Sequence, residues 1–234
     1  VTHRPARLTR ADYTLDAQRL APALIGCVFV RVLPTGQRLS GRIVETEAYV
    51  GARDRACHSF NNRRTARTEP MFGQPGTAYV YFTYGMHHCF NVVCGPAHDP
   101  HKPVAVLIRA LEPLEGLEAM RQLRAAHASA RATARTLTDR DLCRGPGRLC
   151  AALGIDRALN AVDLVEHASL FIEPPVNDAS TESPKRPRLA RSPRVGVDSA
   201  GAWALKPLRW FERDHPSVSG PRARDQTSTS RRPP

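Results

Sequence analysis

Apolar positions along the chain fall into short blocks, and the spacing within each block predicts an element. Residues 27–32 form an apolar, β-branched run broken only by Arg31 and read as a strand. Pro34, Thr35, Gly36 and Gln37 make a turn of the kind that joins hairpin strands, and residues 41–47 are the return strand. Residues 78–84 alternate aromatic and β-branched side chains, bend at Gly85-Met86-His87-His88 and return through 89–94. Residues 104–110 are a further strand, apolar almost without a break until Arg109. Helical spacing appears at 15–25, where Gly26 ends the pattern, at 114–124 through Leu114, Leu117 and Met120 or Leu123, and more briefly at 149–153. One or two short strands are expected within 162–172, and closing strands at 195–197 and 208–211. Two stretches lack periodicity. Residues 51–77 read as a long loop, and such loops inside compact domains are usually functional. The Pro-rich segment 174–194 reads as a disordered insertion, and the polar, basic residues after Arg213 as a disordered tail. The pattern predicts one α/β (α+β) domain with a mostly antiparallel sheet and helices outside it.

Composition narrows the class. The chain has 234 residues, 41% of them hydrophobic, enough for one real core. No run approaches the ~20 apolar residues of a membrane span, so a membrane partner is not expected. Val1, Thr2, His3 and Arg4 open the chain without an apolar segment behind them, and no secretory signal is read there. Lys plus Arg exceeds Asp plus Glu by 12, and half of that excess lies in residues 174–234. A basic excess of this size points to a phosphate-rich partner. Only Lys102, Lys185 and Lys206 are lysine, a bias that a GC-rich gene explains by itself. Six cysteines show neither a close pair nor metal-ligand spacing, so they are expected to be reduced and mostly buried, as in a cytoplasmic or nuclear protein. His98-Asp99-Pro100-His101 reads as a turn, and neither a metal nor another cofactor is expected.

Several residues are oddly placed for a plain core. Alternation puts Glu45 and Glu47 on one strand face together with Ile43. Two carboxylates so placed fit either a built site, since burying a charge is costly, or an edge strand with both in solvent. Tyr79, Tyr81 and Thr83 share a face that is either core or a ligand platform. Tyr84 sits at the bend, where a large aromatic is suited to wedge between stacked bases. Arg109 ends an apolar strand and either reaches solvent or pairs with Glu47 or Glu112.

These segments carry a resemblance. Gly41-Arg42-Ile43-Val44-Glu45-Thr46-Glu47-Ala48-Tyr49, Pro75-Gly76-Thr77-Ala78-Tyr79-Val80-Tyr81, Tyr84-Gly85-Met86, Cys89-Phe90-Asn91 and Leu107-Ile108-Arg109-Ala110-Leu111-Glu112-Pro113 resemble the alkyladenine (mammalian-type 3-methyladenine) DNA glycosylase family. Residues 142–150, 194–197 and 206–209 continue it, so that it spans roughly 9–213. The resemblance implies a curved sheet, a protruding hairpin and a repair hydrolase acting on double-stranded DNA with damaged purines. Glu47 then falls on the general base, Arg109 on the residue that helps hold the attacking water, and Val195 on a backbone contact. Tyr49, His58 and Tyr81 fall on the groups that stack on the flipped base, and Asn91 on the pocket floor. Tyr84, with Met86 beside it, falls on the intercalating tip. Two histidines, His87 and His88, stand where aromatics are usual; they fit either a phosphate contact or solvent exposure. Phe90 takes a slot often held by Met.

The resemblance divides the chain into a glycosylase domain over 1–213 and a tail over 214–234. Removing the tail is expected to weaken DNA binding and leave lesion preference unchanged. No lysine lies in the matched catalytic segments, so no Schiff base is expected, and a monomer is. A non-catalytic DNA- or RNA-binding protein on the same scaffold is the alternative, and Glu47 discriminates between the two.

Overall fold

The computed structural model of the chain describes residues 6–95, 99, 102–127, 137–175 and 187–220. Four α-helices and eight strands form among them: α1 (Ala17–Ala23), β1 (Val28–Val32), β2 (Arg38–Tyr49), β3 (Ala78–Thr83), β4 (His87–Cys94), β5 (Val104–Glu115), α2 (Leu117–Ala126), α3 (Asp139–Leu142), α4 (Pro146–Ala152), β6 (Leu170–Glu173), β7 (Leu189–Ser192) and β8 (Arg209–Glu212). All strands join one curled sheet in the order β3-β4-β5-β2-β1-β6, with β8 against β2 and β7 against β8. Every pairing is antiparallel. The expected α+β class and antiparallel sheet are therefore present.

The long central strand β2 organises the sheet. One edge pairs with β5 from Ser40 to Tyr49. The other edge is shared: residues 38–42 pair with β1 and residues 45–47 with β8. The change of partner coincides with a bulge between Ile43 and Thr46. A bulge adds a residue to one strand and shifts the alternation of its side chains. Ile43 and Ala48 consequently pack in the main core, and the Thr46 hydroxyl donates to the Ala21 carbonyl of α1 at 2.8 Å. Glu45 and Glu47 turn to the opposite side. Ile43 does not share their face, contrary to simple alternation.

Helices α1 and α4 cover the core face. Leu20, Ala21 and Leu24 of the α1 segment and Leu149, Cys150 and Ala152 of α4 are buried against the sheet. Gly147 is where α4 meets β4: a Cβ there would lie 2.9 Å from the His87 ring, so only glycine allows this approach. At the β3–β4 turn Tyr84 has φ 51 and Gly85 φ 66, the positive values that a I′-type hairpin turn uses. Holding a tyrosine there costs about 1–2 kcal/mol.

Several expectations need correction. Residues 114 and 115 extend β5, and α2 starts only at Leu117, because Gly116 at φ 74 turns the chain between them. Residues 195–197 form no strand. Inside the segment expected to be disordered, Leu189–Ser192 is the strand β7, which pairs with β8 and buries Ala190. Its prolines flank the strand rather than interrupt it, so the ladder loses no donor. Residues 176–186 lie outside the described residues, as do 221–234, His98, Pro100 and His101. The expected tail boundary also moves. Val218 is buried with Val44, Ala110, Ala190 and Phe211, so the domain continues past Arg213.

This placement changes the expected effect of removing residues 214–234. The truncated chain loses a core side chain and a buried hydrogen-bond donor, and its stability should fall by about 3 kcal/mol. Val218→Ala in the full chain should cost about 2 kcal/mol. Urea unfolding checks both, and an unchanged midpoint in either case would contradict the packing described.

Candidate active site

Beside the bulge in β2 two carboxylates, Glu45 and Glu47, project from one face, and both are fully buried. Glu45 is saturated. Its Oε1 accepts from Arg109 Nε at 2.8 Å and Arg209 Nε at 2.7 Å, and its Oε2 from the Ser219 backbone N–H at 2.6 Å. Glu47 is held differently. Its Oε1 accepts from the Val195 backbone N–H at 2.7 Å and lies 3.2 Å from Arg109 Nη1, while its Oε2 accepts from the Tyr49 hydroxyl at 3.0 Å. Arg109 thus bridges the two carboxylates. Burial works against its charge, but Glu47 and Glu45 outweigh burial and hold its pKa above the usual arginine range. Burial, followed by the neighbouring Glu47, pushes the Tyr49 phenol well up, so it serves Glu47 as a donor.

A cavity of about 320 Å³ opens beside this cluster. Its walls come from alternate residues of three strands: Tyr79, Tyr81 and Thr83 of β3, Cys89 and Asn91 of β4, and Ala105, Leu107 and Arg109 of β5. Tyr49, Ala56, Cys57, His58, Met71, Tyr84, Pro146 and residues 195–197 complete it. Tyr79 and Tyr81 lie with ring centroids 5.4 Å apart, and His58 meets Tyr81 edge-on at 4.6 Å. His58 Nδ1 is 2.8 Å from the Tyr79 hydroxyl. Burial and, secondarily, the charge of Arg67 lower the His58 pKa to about 4, so the ring is neutral near pH 7. Asn91 donates from Nδ2 to the Tyr79 carbonyl at 3.0 Å, which fixes its amide at the base of the cavity. The cavity is apolar and aromatic with a few oriented polar groups, the form of a site for a flat heteroaromatic ring.

A buried clip aligns its two loop walls. Arg194 and Asp54 are both enclosed and form a bidentate pair, with Arg194 Nη2 2.8 Å from Asp54 Oδ1. Arg194 Nη1 also donates to the Ala48 carbonyl at 3.0 Å. Asp54 in turn accepts from the backbone N–H groups of Val50 and Ala56. The clip ties the loop that leads to His58 to the segment that presents the Val195 N–H. The Arg194 guanidinium also stands 4.7 Å from the Tyr49 ring centroid.

The structure brings together Glu47, Arg109, Val195, Tyr49, His58, Tyr81 and Asn91 around one cavity. Tyr84 reaches its rim while 80% exposed, and Met86 stands beside it in solvent. Arg109 pairs with Glu47 as one of the two expected partners; the other, Glu112, pairs instead with Arg42. His87 is exposed against Gly147, and His88 packs on Phe82 with centroids 4.9 Å apart. All six cysteines are buried and free. Glu45's role as a shared counter-ion, and the parts of Arg209, Ser219, Asp54 and Arg194, are absent from the sequence reading. Arg194 and Arg209 stand in the matched motifs and carried that signal; Ser219 sat in the presumed tail and carried none.

The chain is similar to known proteins over most of its length. The family model described as methylpurine-DNA glycosylase matches residues 11–216. DNA-3-methyladenine glycosylase of Homo sapiens is 46% identical over 213 residues, 91% of this chain and 68% of the human protein. The Mus musculus protein of the same name is 45% identical and is covered over 61% of its length. A putative 3-methyladenine DNA glycosylase of Methanocella arvoryzae is 42% identical over 91% of this chain and 95% of its own. The chain thus spans about two thirds of the mammalian relatives and nearly all of the shorter one.

Two outcomes follow from the geometry. Glu45→Gln leaves Arg109 and Arg209 buried against a neutral amide and should cost about 3–5 kcal/mol in urea unfolding. For His58, the folded pKa of about 4 lies below the unfolded value near 6.5. The unfolded chain therefore binds more protons between these values, and stability is lost as pH falls from 6.5 to 4. His58→Gln should lower the melting temperature less steeply across that interval than the unaltered chain; equal slopes would contradict the neutral, enclosed ring.

Proposed function

The chain belongs to the methylpurine-DNA glycosylase family, and on that premise we propose that it is a base-excision repair enzyme. In this reading it flips a damaged purine out of duplex DNA into the aromatic cavity and hydrolyses its bond to the sugar. Its substrates are alkylated purines such as 3-methyladenine and 7-methylguanine, with deaminated and etheno purines as further members. One observation carries the reading: Glu47 sits behind the cavity wall, bonded to Val195 N–H and Tyr49, with Arg109 at 3.2 Å, and all three of these neighbours line the cavity.

A base stacked in a duplex exposes its glycosidic bond poorly, so the nucleotide must leave the stack. Tyr84, at the exposed bend with Met86 beside it, fills the gap. Tyr49, Tyr81 and His58 enclose the extruded purine. Aromatic faces attract a cationic alkylpurine over a neutral one by about 1–2 kcal/mol when water is excluded. Asn91, fixed by its bond to the Tyr79 carbonyl, sterically opposes the exocyclic amine of normal guanine. A water between Glu47 and the sugar gives its proton to Glu47 and attacks C1′ as the electron pair of the glycosidic bond leaves with the base. Arg109 and the Val195 backbone orient that water. The products are a free base and an abasic site. Among the described residues no lysine lines the cavity, which supports water rather than an amine as nucleophile. The enzyme acts as a monomer on duplex DNA.

Glu47→Gln should abolish single-turnover release of 3-methyladenine while keeping affinity for an abasic-site duplex within a few-fold. Release at the unaltered rate would remove Glu47 from the mechanism, and no release by the unaltered chain would leave a binding protein. A covalent adduct trapped by borohydride would show an amine nucleophile instead.

A further inference from the structure

Arg67 belongs to the loop between β2 and β3 and is exposed, yet it stands against the cavity wall. Its guanidinium carbon is 5.2 Å from the Tyr81 ring centroid. The Tyr79 hydroxyl, on the neighbouring ring, meets His58 Nδ1 at 2.8 Å, and the charge of Arg67 acts on both groups. Tyr79, Tyr81 and His58 all face the cavity. Arg64, three residues earlier, is engaged by Glu69. Among the described residues no carboxylate pairs with Arg67. An uncompensated cation therefore borders a cavity proposed to accept purines of differing charge.

We propose that Arg67 is a specificity-determining residue that shifts excision toward neutral damaged purines and away from cationic ones. The inference rests on the glycosylase reading above. When the glycosidic bond breaks, its electron pair leaves with the base. A cationic base departs neutral, and a neutral base departs carrying negative charge until it takes up a proton. At each matching stage of cleavage the cationic lesion carries one more unit of positive charge than the neutral one. A fixed guanidinium nearby separates the two by the same Coulomb difference throughout, so the effect appears in the ratio of kcat/KM values. For an exposed cation several ångströms from the ring, that ratio changes on the order of fivefold. This opposes the attraction of the aromatic walls for cationic rings, and the balance between the two sets the preference.

The test places duplexes carrying 7-methylguanine and hypoxanthine in competition for the unaltered chain, Arg67→Ala and Arg67→Lys, at low and high salt. Arg67→Ala should lower the hypoxanthine-to-7-methylguanine ratio of kcat/KM about fivefold at low salt, and less at high salt, where the charge is screened. Arg67→Lys keeps the charge and should hold the ratio within about twofold. An Arg67→Ala chain that loses both substrates equally, with the ratio unmoved, would make Arg67 a simple phosphate contact and overturn the inference. A ratio that falls equally in the Lys variant would assign the effect to shape instead and overturn it too. Failure of the unaltered chain to release either base would defeat the glycosylase reading itself, a separate and recognisable result.

Discussion

Arg109 is gripped by two buried carboxylates at once, and the geometry of the site depends on that grip. Taking these charges out of water costs several kcal/mol per ion, and only well-aimed partners offset it. Glu45 and Glu47 come from β2, Arg109 from β5, Arg209 from β8, and the Ser219 amide from the segment that follows β8. Three regions of chain far apart in sequence, at 45–47, 109 and 209–219, are therefore fixed relative to one another by a single cluster. A slip of one residue in β2 would send both carboxylates into the apolar core face. The ion cluster and the strand register enforce each other.

The cluster also separates two carboxylates that the sequence presents as near equivalents. Glu45 has all its close donors inside the fold, and three of them lie at 2.6–2.8 Å, so it acts as a counter-ion. Glu47 is bonded to groups that each also touch the cavity. The bulge between Ile43 and Thr46 keeps Ile43 with Thr46 on the core side, so that Glu45 and Glu47 face the site without it. In the proposed reaction, Glu45 holds the arginine and Glu47 faces the chemistry.

The parts legible in the sequence were those governed by local pattern. The strands at 27–32, 78–84, 89–94 and 104–110 announce themselves by β-branched, aromatic or continuous apolar runs, and motif resemblance singled out the residues that surround the cavity. What was not legible depends on distant contacts. β7 is short, Pro-flanked and stable only because β8 supplies its ladder. Ser219 looks like tail because nothing near it in sequence is apolar except Val218, whose partners lie on β2, β5, β7 and β8. The bulge has no compositional mark in Val44-Glu45-Thr46 and follows from the change of neighbour along β2. The valines of 195–197 fit a strand, yet the segment forms none, because the Val195 backbone donor goes to the Glu47 carboxylate.

The scarcity of lysine, which a GC-rich gene can explain, acquires a structural meaning at Arg109. Its Nε meets Glu45, its Nη1 meets Glu47, and its Nη2 lies 3.3 Å from the Ser219 hydroxyl. Three acceptors in three directions suit a planar fork and not the single ammonium of lysine. Arg194 repeats the pattern, with Asp54 taken in two bonds, the Ala48 carbonyl in a third, and the Tyr49 ring beneath the plane. At both positions an Arg-to-Lys exchange preserves charge but abandons at least one buried acceptor, which is costly in a low-dielectric interior. The exposed Arg67 differs in this respect: it stands 5.2 Å from the Tyr81 ring centroid and reaches the cavity through its field, and there charge alone is enough. Burial thus decides whether an arginine of this protein acts through its shape or through its charge.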